Sequence, residues 1–302
     1  MAQFIIGVDV GYGNTKTAHN CFSSGAKKLP GKPPLSTMVV ETTEGYYAIG
    51  NGKVSIQKSK TEDEYMRVLT MAAIAEELKR NKVTIADVHL GVGVPLTRMG
   101  AEKDEFINYY NKNRRLIFKY EDVQYSVTLS SVNVFPQGYA GVVSLMPTFR
   151  MPSLVIDIGS WTVDILPLVE LKPDMQRVKS LPLGTITCIN EINEALRQRL
   201  GSDADESIIK NVMINGSADI PDSYLSIIQT GLSSYVTNLM DQIRALGFNP
   251  DLTQFVYIGG GATIMKHFLS QENIKNALIL DDVNINAKGY EDLIRHKLGG
   301  KS

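Results

Sequence analysis

Residues Gly7 to Lys16, GVDVGYGNTK, set an aspartate two places before a glycine, a second glycine two places on, and then an amide, a hydroxyl and an amine. Glycine lacks a Cβ, so a turn built on it lets the backbone approach an anion closely and aim N–H donors at it. Asp9 beside such a turn suits a divalent cation, and Lys16 suits phosphate charge. The plan returns in SLVIDIGSWTVDIL, Ser153 to Leu166, where Asp157 and Gly159 take the places of Asp9 and Gly11. A third glycine turn lies in FVYIGGGATIM, Phe255 to Met265, where an apolar strand breaks at Gly259, Gly260 and Gly261 and resumes as a helix whose dipole favours anions. Any one of these is also what a tight turn with glycine at positive φ looks like. Three in order, two of one design, fit phosphate loops with a carboxylate near Mg²⁺.

Strand-like and helix-like runs alternate around these turns. Phe4 to Asp9 and Lys16 to Asn20 read as strands, and LPGKPPLS, Leu29 to Ser36, as a proline-punctuated loop. Thr61 with Glu64 has capping-box spacing and opens a helix to about Arg80, with Tyr65, Leu69, Ala72 and Ala73 on one face. VHLGVGVP, Val88 to Pro95, reads as a buried strand. Tyr109 to Leu129 shows strand alternation and carries the basic cluster Lys112 to Lys119, read as a solvated hairpin edge or, more sharply, as a filament or DNA contact. NVFPQGYAG, Asn133 to Gly141, leads into a helix. The second half adds helical patterns at Thr185 to Leu200, Glu206 to Asn215 and Pro221 to Leu246, and NAKGYEDLIRHKL closes as another. The repeated strand, Asp-x-Gly turn and strand imply an internal duplication.

At 302 residues and 43% hydrophobic the chain can bury a substantial core, and its length suggests two domains. Thirty-one basic against 32 acidic residues give no global attraction to nucleic acid or anionic membrane. The N-terminus reaches Asp9 without a basic stretch or long apolar core, and no run approaches the roughly 20 apolar residues of a membrane span. A cytoplasmic protein with no membrane partner is expected. Cys21 and Cys188 are too few for a disulfide scaffold or a zinc site, and His19, His89, His267 and His296 are dispersed.

GVDVGYGNTK, VIDIGSWTVDI and VYIGGGATIM, about a domain apart, resemble the phosphate-1, phosphate-2 and adenosine motifs of the actin, Hsp70 and sugar-kinase superfamily. Asp9, Gly11, Gly13 and Lys16 fall at actin-like spacing. Asp157, Gly159, Thr162 and Asp164 match the Hsp70-like D-x-G-x-x-T-x-D. The compact length, GVPLTR at Gly93 to Arg98, LGTITCINEINEAL at Leu183 to Leu196 and NAKGY look most like the ParM-type prokaryotic actin-like ATPases that segregate plasmids.

The resemblance implies an α/β, actin-like fold, with two RNase-H-like domains flanking a nucleotide cleft. Domain I would be 1–150, with a C-terminal helix of about 286–302 packing back on it, and domain II 151–285. Gly11, Gly13, Asn14, Thr15 and Lys16, with Gly159, Ser160, Trp161, Thr162 and Gly184, would bind the nucleotide, and Gly259, Gly260 and Gly261 would face adenosine. Asp9, Asp157 and Asp164 would hold Mg²⁺ mostly through water. ATP would be the substrate, with GTP open, and the partners would be further copies of the chain in a filament and a DNA-binding adaptor, so that DNA is met only indirectly. Trp161 departs from the small residue usual in the turn and has interdomain packing as its other reading. The water-orienting place of the family falls near Asn133, with Gln137 the residue chosen here. Gln137 either positions the attacking water or caps the following helix. The competing activity is a small-molecule kinase of the same superfamily, which needs an acceptor-side aspartate that the sequence does not display.

Overall fold

The computed structural model describes residues 2–33, 38–50, 64–150 and 152–299. They fall into two compact units, Met1–Ser144 with Val283–Ser302, and Leu145–Asp282.

The first unit is built on β1 (Ala2–Val10), β2 (Asn14–Lys16), β3 (Cys21–Ser23), β4 (Ala26–Leu29), β5 (Val39–Thr42), β6 (Gly45–Ile49), β7 (Ile85–Val94), β8 (Arg115–Tyr120) and β9 (Val123–Pro136). These form one sheet in the order β3-β2-β1-β7-β9-β8-β5-β6-β4. Strands β1, β7 and β9 run parallel at its centre. The carboxyl-terminal half of β7, residues 90–94, is therefore continuously buried, while the first half of that strand alternates. Helices α1 (Glu64–Arg80), α2 (Met99–Asn111) and the single-turn α3 (Tyr139–Val142) complete the N-terminal part. Ile6, Val8, Leu90, Val92, Leu69, Ile74 and Phe106 lie in one core.

The second unit has β10 (Ser153–Ile158), β11 (Val163–Val169), β12 (Lys172–Pro173), β13 (Lys179–Leu181), β14 (Gln254–Ile258) and β15 (Ala277–Ile279), with α4 (Thr185–Leu200), α5 (Glu206–Asn215), α6 (Asp222–Ala245), α7 (Ala262–Phe268) and α8 (Gln271–Ile274). Its sheet runs β12-β11-β10-β14-β15, and β13 pairs with β11 off that path. Helices α4 and α5 stop at Gly201 and Gly216, both left-handed, which is how glycine ends a helix. The core gathers Ile156, Ile158, Ile189, Leu196, Leu232, Leu239 and Tyr257.

The last helix, α9 (Ile285–Gly299), belongs to the first unit and packs on β1 and β7. It approaches closely because residue 7 is glycine: a Cβ there would sit 2.0 Å from the Ala287 carbonyl oxygen. The Gly7 amide, on the flank of β1 that β2 does not cover, donates to Glu291 Oε1 at 3.2 Å.

Two expectations change. The strand expected at Lys16–Asn20 is β2, two residues earlier, and Thr17–Asn20 is the turn to β3. The Thr17 hydroxyl, the His19 amide and the Asn20 side chain are all drawn to the buried Glu77 carboxylate of α1, which closes a turn where a strand would continue. The basic stretch does lie in a hairpin with β9, but β8 is an interior strand, because β5 adds to its other side at Val40–Tyr120 and Glu41–Lys119. Lys119 pairs with Glu41 at 2.9 Å. Asn133 to Gly141 does lead into a helix, the single-turn α3, after β9 has continued through Pro136 against β7. The capping-box residue Thr61 and part of LPGKPPLS lie outside the described residues.

Candidate functional site

In the first unit β1 and β2 are antiparallel, and their register places Asp9 directly opposite Lys16. The Gly11 amide closes the turn onto the Asn14 carbonyl at 3.0 Å. Asp9 is only 3% exposed. Its Oδ1 accepts a hydrogen bond from Gln137 Nε2 at 2.7 Å, and Lys16 Nζ stands 3.7 Å from Oδ2. Gln137 follows the end of β9 and is held by its own amide, which donates to Val94 O at 2.8 Å. The next residue, Gly138, adopts φ 73° and donates to Asn286 Oδ1 of α9. Asp9 and Gln137 thus meet at the carboxyl ends of parallel strands, the usual place for ligands in open α/β sheets. Asn133 does not join them. It sits opposite Gly91, donates to Ser131 Oγ at 3.0 Å and accepts from Lys297 Nζ of α9 at 2.9 Å.

Behind this turn lies a residue that sequence reasoning missed. Ser24, fully buried, donates its amide to Gly13 O at 3.0 Å and its hydroxyl to Gly11 O at 2.6 Å, and its Oγ is 2.9 Å from Thr15 Oγ1. Nothing in the composition around Ser24 marks it. Only the register of β2 with β3, Asn14 opposite Ser23, brings it back to the turn. Thr15 is fully buried as well, with its hydroxyl turned to Ser24 rather than outward.

The second unit repeats the hairpin with different charges. The Gly159 amide donates to Thr162 O at 2.9 Å, and the register of β10 with β11 sets Asp157 opposite Asp164. Two carboxylates facing each other across a strand pair repel, where Asp9 and Lys16 attract. Thr162 Oγ1 donates to Asp164 Oδ2 at 3.5 Å, a weak contact. The first amides of α4 hold the turn from behind: Gly184 donates to Trp161 O, Thr185 to Gly159 O and Ile186 to Ser160 O, each at 3.0 Å. Helix N-termini carry amides without intrahelical partners, and here the turn's carbonyls satisfy them. Gly184 fits this packing, since a Cβ there would lie 2.3 Å from Ser160 O. Strand β14 runs parallel to β10 with Ile258 beside Asp157, and Gly259 follows at φ 87°. A Cβ on Gly259 would lie 2.3 Å from Asp157 Oδ1. The unit therefore gathers Asp157, Asp164, Gly159–Thr162, Gly184 and Gly259–Gly261 into one locality, with Trp161 half-buried.

Among the described residues no three His, Cys, Asp or Glu side chains assemble as a direct metal ligand set. The opposed pair Asp157 and Asp164 suits a hard cation that keeps most of its waters, as Mg²⁺ does. Two shifts in acidity bear on the surroundings. Burial raises the Glu291 carboxyl above its ordinary value, partly offset by the Gly7 amide and Arg295. Burial also pushes the Cys188 thiol up to about 12, so it is a protonated core residue at neutral pH. Among the described residues no helix is long and apolar enough to cross a membrane.

Two α/β units, each with a strand that ends in an Asp-x-Gly hairpin turn, define an actin-like fold. A family model described as the actin like proteins N terminal domain matches residues 7–139. A curated relative, the archaeal actin homolog of Thermoplasma volcanium, is 26% identical over 299 residues, covering 86% of this chain and 88% of its own. Among solved structures, the archaeal actin homolog Ta0583 in complex with ADP superposes with a TM-score of 0.74 at 20% identity, over 98% of this chain and 100% of that one. A 15-stranded ParM filament from Clostridium botulinum gives a TM-score of 0.74 at 18% identity, over 98% and 100%.

Proposed function

We propose that this chain is a cytoplasmic, ATP-dependent, filament-forming actin-like protein that segregates plasmid or other extrachromosomal DNA through a DNA-binding adaptor, assembling when ATP binds and disassembling after hydrolysis. The observation that carries the hydrolytic part is the Gln137 amide on the Asp9 carboxylate, 2.7 Å apart at the mouth of the first turn. A related fold solved with ADP and another solved as a filament support the nucleotide and the polymer.

In this reading Gly11 and Gly159 close the two turns through their own amides, the amides of Gly13 and Asn14 and those of Ser160 and Thr162 donate to the phosphates, Lys16 neutralises phosphate charge, and Gly259–Gly261 faces the adenosine. Asp9, Asp157 and Asp164 would hold Mg²⁺ mostly through water, and the ion would supply positive charge against the phosphates. Gln137 gives its Nε2 proton to Asp9, which fixes the amide plane and leaves Oε1 to accept a proton from a water. An amide that orients water without being a strong base suits the loose transition state of phosphoryl transfer.

Sedimentation and light scattering of the purified protein, with phosphate release followed in parallel, test the proposal. Mg-ATP should produce polymer that decays as phosphate appears, and omission of Mg²⁺ should abolish both. Steady ATP turnover without assembly, at concentrations well above those at which actin-like proteins polymerise, would sink the filament reading in favour of a kinase.

A further inference from the structure

A turn that binds phosphate through its amides has to keep its carbonyl oxygens away from the anion. In the second unit the N-terminus of α4 does this, taking up the carbonyls of Gly159, Ser160 and Trp161. The first turn is held instead by one residue just past β3: Ser24 binds Gly13 O through its amide and Gly11 O through its hydroxyl.

We propose that Ser24 is the positioning residue of the first turn, fixing the direction in which Gly11–Lys16 presents its amides to a nucleoside triphosphate. The inference rests on the nucleotide reading above and goes beyond it. The proton count sharpens it. Ser24 Oγ has one proton and gives it to Gly11 O, so in its 2.9 Å contact with Thr15 it accepts and Thr15 donates. The Thr15 hydroxyl is thereby consumed inside the unit, and the first turn meets phosphate with backbone amides and Lys16 alone. Removing the Ser24 hydroxyl releases the Gly11 carbonyl from its buried partner and lets it swing towards the phosphates, where its lone pairs repel them. A sugar and base bound elsewhere feel nothing of this.

The experiment compares Mg-ATP and adenosine affinities by calorimetry for the wild type, Ser24→Ala and Thr70→Val. The last loses a buried hydroxyl that bonds Tyr110, far along α1 in the same unit, and controls for destabilisation. Ser24→Ala should weaken Mg-ATP about tenfold, the scale of one lost hydrogen bond to an aligned group, and leave adenosine within about twofold. Thr70→Val should leave the ratio of the two affinities unchanged. If Ser24→Ala does not fold, Ser24→Cys, with nearly the same volume and a weaker donor, should show a smaller loss of the same selectivity. An unchanged ratio in the folded Ser24 variant overturns the positioning role while the nucleotide reading stands. Wild-type protein that binds neither ligand overturns the nucleotide reading and this inference with it.

Discussion

Gln137→Ala deletes the amide 2.7 Å from Asp9 Oδ1 and leaves a carboxylate that is 3% exposed with Lys16 at 3.7 Å as its other partner at the turn. A hydrogen bond to a charged group is worth about 1.5–3 kcal/mol. For a unit of this size each kcal/mol moves the melting temperature by about 2–4 °C, so the nucleotide-free variant should melt about 3–12 °C lower. Part of any such fall comes from lost packing, and a double-mutant cycle with Asp9→Ala separates the two. The coupling between the positions should be about 1.5–3 kcal/mol, because Asp9→Ala also removes what Gln137 binds. The catalytic limb is independent. A group that orients the attacking water acts mainly in the transition state, so single-turnover phosphate release should slow about 100-fold, about 2.7 kcal/mol, with Mg-ATP affinity held within about threefold. Asn133→Ala, which detaches Lys297 rather than Asp9, is the control. A coupling below about 0.5 kcal/mol would refute the Asp9–Gln137 bond, within the scatter of independent sites. Turnover kept by Gln137→Ala and lost by Asn133→Ala would move the water-orienting role to Asn133.

Gly259→Ala forces a side chain onto φ 87° and within 2.3 Å of Asp157 Oδ1. About 1–2 kcal/mol of backbone strain should appear in denaturant unfolding, and the Mg²⁺ dependence of ATP affinity should weaken because Asp157 must turn away. For Glu291 the folded carboxyl titrates above its ordinary 4.5, so the native state holds the extra proton in the window between the two values. The contribution of Glu291 to stability is thus full below about pH 4.5 and is lost as pH rises through the raised value. Melting curves of wild type minus Glu291→Gln should show that downward slope, and a flat difference across the window would contradict the burial argument. Asp157→Ala should abolish most hydrolysis, and its polymers should outlast those of the wild type in light scattering if ATP still binds.

The site turns were legible because their signal is local. An apolar run, an aspartate and a glycine within a few residues mark the hairpin turns at Asp9 and Asp157, and Gly201 and Gly216 mark the ends of α4 and α5 in the same way. What failed depended on partners distant in sequence. That β8 is interior follows from β5, whose pairing no pattern within Lys112–Lys119 could disclose. The end of β2 is set by Glu77, some sixty residues away and on a helix. Ser24 reads as an ordinary loop serine until β3 folds it onto Gly11. Gln137 came from the family resemblance, since its bond to Asp9 spans 128 residues and no spacing rule reaches that far. The glycines at 7 and 184 carry meaning only once α9 and the second turn are seen against them.

The two hairpins share a backbone plan but not a charge plan, and the difference has an energetic consequence. Across β1 and β2 an acid faces a base, a pairing worth up to about 1 kcal/mol in its own right, so the first turn is stable before any ligand arrives. Across β10 and β11 an acid faces an acid, which opposes the hairpin unless positive charge lies between or beside them. A positive charge placed there would relieve that repulsion, whereas across β1 and β2 Lys16 already supplies it.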